Sequence, residues 1–160
     1  MKVLLLILLI AAPAGAGERT PFLWTPPHRQ TANAISWGTA IGSVALDTVR
    51  SFKSEHRKTA LLEQTCGLGV AGLAMRTTKH FVSRTRPDGS DNRSFYSGHT
   101  TYSAVSARTG YGFGFSVILS IDTAFFRQAA GKHFASDTIV GALAGVGSEA
   151  LCRAIIPGDR

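Results

Sequence analysis

The chain has 160 residues, with 17 Lys+Arg against 10 Asp+Glu and a formal net charge of +7. That length suits one domain, 44% hydrophobic residues exclude wholesale disorder, and two Cys exclude a disulfide-dense scaffold and a four-Cys zinc site. The positive balance favours phosphate-bearing or other anionic partners without naming one.

Met1-Lys2, an apolar run from Val3 to Ala12 and the small-residue end Ala14-Gly15-Ala16 form the tripartite pattern of an export signal. Residues 1–16 are therefore expected as a signal peptide, and the mature chain as exported, periplasmic or secreted. An uncleaved membrane anchor is the competing reading. Pro21, Pro26 and Pro27 oppose helix, so residues 17–30 are expected as an extended leader ahead of a domain spanning 31–160.

Thr31 or Asn33 is positioned to cap a first helix that runs to about Arg50. Ser51 to His56 reads as a connection, and Arg57 to Phe81 as a second helix. Residues 82–96 carry Pro87, Asp88-Gly89 and Asp91-Asn92, which is loop chemistry. A third helix starts near Ser97 or Gly98 and stops near Gly110, and Gly110, Gly112 and Gly114 form a break. A fourth spans about Phe115 to Gln128, and a last one about Phe134 to Ile155, ended by Pro157-Gly158. No segment alternates long enough for a strand, so the expected class is an all-α bundle of about five helices. Gly141, Gly145 and Gly147 predict close helix packing, in water or in lipid. No stretch reaches 18 uncharged apolar residues, so no spanning helix is predicted, although the low charge is compatible with membrane-surface contact.

An exported chain permits a disulfide between Cys66 and Cys152. Each Cys sits in an apolar helical stretch, however, where a buried thiol is the plainer expectation.

Three polar clusters carry chemistry. In the first, Lys79 in the last turn of a helix and Arg86 in the loop after it, with Arg84 and Pro87 nearby, can grip one phosphate. A cationic helix end that complements the helix dipole is the alternative. The second, Ser94-Phe95-Tyr96-Ser97-Gly98-His99, sits where a loop enters a helix. Backbone N–H groups there are open to an anion, Gly98 lets it approach, Ser97 adds a donor, and His99 titrates near neutrality. An ordinary Ser cap with a surface His is the alternative. In the third, His133 and Asp137 are four apart and share a helix face, with Arg127 six residues before His133. A carboxylate on one ring nitrogen leaves the other as a nucleophile; a local structural pair is the alternative. Metal binding by His99, His133 and Asp137 has no supporting ligand spacing. Gly67-x-Gly69-x-x-Gly72 matches a dinucleotide fingerprint only as a string and is read as helix packing. No nucleic-acid-binding motif accompanies the basic excess.

Taken together, Lys79-x6-Arg86-Pro87, Ser97-Gly98-His99 and Arg127-x5-His133-x3-Asp137 resemble the three-part signature of the type 2 phosphatidic acid phosphatase superfamily, which includes class A acid phosphatases and vanadium haloperoxidases. The pattern departs at Tyr96, where members carry Pro, and at Phe126, where they carry Ser. The resemblance implies an all-α fold and metal-independent hydrolysis of phosphomonoesters or pyrophosphates, including lipid-linked ones, with no cofactor. By position, His133 is then the nucleophile that forms a phosphohistidine, Asp137 orients it, and His99 protonates the leaving oxygen. Lys79, Arg86, Arg127, Ser97 and the N–H of Gly98 bind the phosphoryl oxygens. The expected partner is a phosphorylated small molecule or lipid phosphate, not nucleic acid. Rival readings are a non-catalytic phosphate- or lipid-binding protein of the same fold and a vanadate-dependent haloperoxidase. Oligomeric state is not legible in the sequence.

Overall fold

A computed structural model of the chain describes residues 26–111 and 113–158. The expected signal peptide and most of the expected leader lie outside the described residues. Five helices follow in order: α1 Pro26–Lys53, α2 Arg57–Phe81, α3 Gly98–Tyr111, α4 Phe113–Ala129 and α5 Ala135–Ile155. The described residues contain no strand, and an isolated bridge between Arg84 and Arg93 is the nearest approach to one.

The first helix overruns its expected bounds at both ends, and Ser51 to Lys53, expected as connection, belong to it. Residues 26–30, expected as part of an extended leader, form the first turn of α1. Pro26 and Pro27 are tolerated there because first-turn N–H groups have no intrahelical partner to lose.

The central helix is α3, which packs against all four others. Its inward residues Thr100, Thr101, Ser103, Ala104, Val105 and Ser106 are fully buried. Small side chains let the neighbouring helices approach closely. A Cβ on Gly141 would lie 2.6 Å from the Ser97 carbonyl oxygen, and one on Gly145 would run into the Thr101 carbonyl. Gly147, expected to act likewise, faces open space. In the Gly67-x-Gly69-x-x-Gly72 string, Gly67 packs on Val105 and Glu149 and Gly72 on Tyr102, while Gly69 has nothing near it. The string is therefore a helix-packing device at two of its three glycines.

The large apolar side chains are distributed unlike those of a water-soluble core. Leu73 is 70% exposed, and Leu143 and Ile118 are each 63% exposed. Besides Phe95, Tyr96, Val105, Val140 and several Ala, the interior holds Ser, Thr and acidic groups such as Asp47 and Glu149. By length and composition α5 is apolar enough to cross a bilayer.

Cys66 on α2 and Cys152 on α5 are bonded to each other, their Cα atoms 5.9 Å apart across a sequence separation of 86. This corrects the expectation of two buried thiols. Apolar surroundings suit either state, and the pairing follows from the packing of α2 on α5, which local sequence does not reveal.

Candidate active site

The three clusters meet at one end of the bundle. α2 ends there at Phe81, α3 begins there at Gly98, α4 ends there and α5 begins there. Loop 82–97 is tied to the α4–α5 turn by Lys132 Nζ donating to Asp88 Oδ2 at 2.5 Å and Asp88 N donating to the Gly131 carbonyl at 3.0 Å. Gly131 turns that corner with φ +71, a conformation that disfavours other residues.

Lys79, Arg86, Gly98, His99, Arg127 and His133 line one cavity of about 500 Å³. Its remaining wall is apolar: Trp37, Ala40, Ile41 and Val44 from α1, with Met75 and Tyr102 opposite. Two of the expected residues do not line it. Ser97 is fully buried, and its Oγ accepts from Thr100 N at 3.4 Å and from Thr100 Oγ1 at 3.0 Å, as an N-cap does. Asp137 is also fully buried, behind His133.

The cations are held in place. Lys79 Nζ donates to the Arg93 carbonyl at 2.7 Å, and Arg86 Nε pairs with Asp91 Oδ1 at 2.7 Å. Burial, reinforced by the Arg86 charge, lowers Lys79 to about 8. Arg127 Nη1 donates to Asn33 Oδ1 at 2.7 Å and to Ser36 Oγ at 3.4 Å, both on α1. Burial and Arg86 lower Arg127 to about 10.

His133 Nδ1 lies 2.6 Å from the Ser94 carbonyl oxygen. A carbonyl only accepts, so Nδ1 carries the proton and Nε2 has the lone pair. Asp137, expected to orient this ring directly, has its carboxylate 3.8 Å from Nδ1, beyond hydrogen-bond length. Its Oδ1 takes Arg84 Nη1 at 2.6 Å, and its Oδ2 takes Ser94 Oγ at 2.5 Å and Phe134 N at 2.9 Å. Burial pushes His133 down to about 4 against the opposing pull of Asp137, and Arg127 and Lys79 add to the fall.

His99 Nε2 is buried and makes no hydrogen bond among the described residues. The ring meets Trp37 edge-on, with centroids 4.2 Å apart. Burial, then Arg127, His133, Arg86 and Lys79, lower His99 to about 3. Arg127 Nε is likewise buried with no hydrogen-bond partner among the described residues. Two such polar atoms in one cavity wall call for a polar ligand to satisfy them.

Both departures from the superfamily pattern find a structural account. Tyr96 is buried with Phe95 and Val140. Phe126 packs beside Ala32, Ala129 and Ala130, and the oxygen that holds Arg127 comes from Asn33 on α1. On α1 the sequence reading assigned none of Asn33, Ser36 and Trp37 to this cavity: Asn33 and Ser36 hold Arg127, and Trp37, whose aromatic ring reads in sequence as core, is half exposed and lines the cavity. Arg84 and Ser94 were visible within the clusters but not assignable to Asp137 and His133. Among the described residues, no three of His, Cys, Asp and Glu gather so as to hold a metal ion.

No family model matches the chain, and no curated protein matches it. Among solved structures it is similar to the crystal structure of Aquifex aeolicus LpxE, with a TM-score of 0.63 at 20% identity over 94% of each chain. That likeness establishes the helical fold.

Proposed function

We propose that the chain is a phosphatase that hydrolyses phosphomonoesters or pyrophosphates through a phosphohistidine, without a metal. The observation that carries this reading is the His133 ring. Its Nδ1–H is committed to the Ser94 carbonyl, so its Nε2 lone pair is available beside a cavity lined by Lys79, Arg86 and Arg127. Phosphoryl transfer mainly needs positioning and positive charge at the equatorial oxygens, and three cations supply that charge. His133 attacks phosphorus, and the bond to the leaving oxygen breaks as His99 delivers a proton to it. Water then attacks phosphorus, passing a proton back to His99 as the P–N bond breaks, which releases inorganic phosphate and restores both rings.

The apolar α1 wall supports a lipid-linked substrate, its phosphate on the cations and its hydrocarbon along Ala40, Ile41 and Val44. The outward-facing Leu73, Ile118 and Leu143 support work at a membrane.

Phosphate release with and without EDTA, followed by rapid quench with labelled substrate, tests the reading. Metal-independent turnover with acid-labile label on the wild type, and none on His133→Ala, is the expected result. Binding without turnover would instead favour a non-catalytic phosphate- or lipid-binding protein, and peroxide-dependent halide oxidation would favour a haloperoxidase.

A further inference from the structure

Asp137 follows His133 by four residues, the spacing that predicts a carboxylate on the imidazole. The structure gives that carboxylate other work. Arg84 Nη1 reaches Asp137 Oδ1 at 2.6 Å and Ser136 Oγ at 2.8 Å, and the guanidinium lies 4.3 Å over the Phe134 ring. The pair is deeply buried, with Arg84 only 8% exposed and Asp137 fully enclosed. Asp137 Oδ2 in turn holds Ser94 Oγ at 2.5 Å, and the Ser94 carbonyl takes the His133 Nδ1 proton at 2.6 Å. A single chain of contacts therefore runs from Arg84 through Asp137 and Ser94 to His133.

We propose that Arg84 is a positioning residue for His133: by engaging the Asp137 carboxylate, it keeps the Nδ1 proton on the Ser94 carbonyl and the ring in its attacking orientation. The inference rests on the reading of His133 as nucleophile given above. A carboxylate is a stronger acceptor for an imidazole N–H than a neutral carbonyl. Without Arg84, Asp137 and His133 are drawn together across their 3.8 Å gap. Two consequences follow. The ring moves off the line of attack, and a misplacement of about 1 Å costs roughly 10²-fold in rate. The carboxylate also stabilises the imidazolium, which has no lone pair to attack with. The other charged and titratable groups around His133 are Lys79 from α2, Arg86 from the loop, His99 from α3 and Arg127 from α4; the three cations have no acceptor atom, and neutral His99 offers only an uncharged ring nitrogen, so Asp137 is the only carboxylate beside the ring among the described residues.

Histidine-labelled nitrogen NMR on the full chain tests this, with the His133 signal identified by its loss in His133→Gln. The wild type should show the Nδ1–H tautomer. In Arg84→Gln the His133 midpoint should rise by about one pH unit, while Arg84→Lys should stay near wild type. Where turnover is measured, Arg84→Gln should lower kcat by roughly 10²-fold and leave KM close to wild type, since the phosphate-binding cations are untouched. An unchanged midpoint in folded Arg84→Gln overturns the proposal. If Arg84→Gln does not fold, Arg84→Met, which fills the same space without a charge, decides on the same readout: a raised midpoint supports the proposal and an unchanged one overturns it. The titration needs no turnover. A wild type without phosphatase activity would therefore defeat the proposed function while the midpoints still judge Arg84.

Discussion

Asn33 Oδ1 lies 2.7 Å from Arg127 Nη1, across 94 residues of sequence, and joins the first helix of the bundle to the C-terminal end of the fourth. Ser36, one turn further along α1, stands 3.4 Å from the same nitrogen. The helix that forms the apolar cavity wall therefore also aims a cation into the cavity.

Loss of that contact is expected to weaken phosphate binding more than the chemical step. A hydrogen bond to a charged group is worth about 1.5–3 kcal/mol, roughly ten- to a hundredfold. Asn33→Ala should raise the inhibition constant of vanadate by about tenfold, measured by steady-state competition. Unaltered inhibition would mean that Arg127 holds its place without α1.

Lys79 makes sulfate binding sensitive to alkaline pH. Burial and the neighbouring Arg86 lower the ammonium to about 8, so its charge is present below that pH and is lost as pH rises through it. Sulfate keeps its own charge throughout this range, which isolates the protein's contribution. Calorimetry should show affinity falling as pH passes about 8, and Lys79→Arg should flatten the fall, because a guanidinium stays charged. A wild-type affinity constant across that range would remove Lys79 from the anion site.

The Cys66–Cys152 bond closes a long loop between α2 and α5. Loss of such a cross-link typically costs about 2–5 kcal/mol, chiefly by giving conformational freedom back to the unfolded chain. Cys66→Ser, or reduction of the wild type, should lower the thermal midpoint. Because the bond lies toward the opposite end of α5 from His133, kcat at a temperature where the variant is folded should stay close to wild type. Equal midpoints for oxidised and reduced protein would show that helix packing alone supplies the stability.

The fold was legible in the sequence wherever punctuation is local. Pro87 and Asp88-Gly89 mark the loop before α3 and Pro157-Gly158 ends α5, whereas Gly110 and Gly114 of the expected break lie within α3 and α4, and residue 112 is outside the described residues. The cations and both histidines were legible because their spacing places them at helix ends that converge. Asn33 read only as a helix cap, since nothing near it signals a partner on α4. The disulfide was illegible for a related reason: which face of α2 meets α5 depends on packing through Gly67 and Gly145, not on the residues flanking either Cys. The direct Asp137–His133 contact expected from spacing gives way because Arg84, from a loop, and Ser94 compete for the same carboxylate.

His99 and His133 are separable by leaving-group chemistry. Both line the cavity, but His133 has an unprotonated nitrogen, the nucleophile of the proposed reaction, whereas the buried Nε2 of His99 has no protein partner among the described residues. Burial and the surrounding cations lower His99 to about 3, so the ring is neutral at ordinary pH until an anion arrives. A bound phosphate group offsets those positive charges and favours protonation of His99, ready for transfer to the leaving oxygen. An alkyl alkoxide needs that proton as its P–O bond breaks, whereas a nitrophenolate departs without one. General acid catalysis contributes about 10²- to 10⁴-fold where it is needed. His99→Ala should therefore depress hydrolysis of an alkyl phosphate by about that factor and hydrolysis of a nitrophenyl phosphate far less, while His133→Ala should remove both. If His99 also activates the water that cleaves the phosphohistidine, the nitrophenyl ester should show a burst of nitrophenolate and then stall. Equal losses on the two substrates, with no burst, would reduce His99 to a phosphate-binding residue and leave the leaving oxygen without a protein acid.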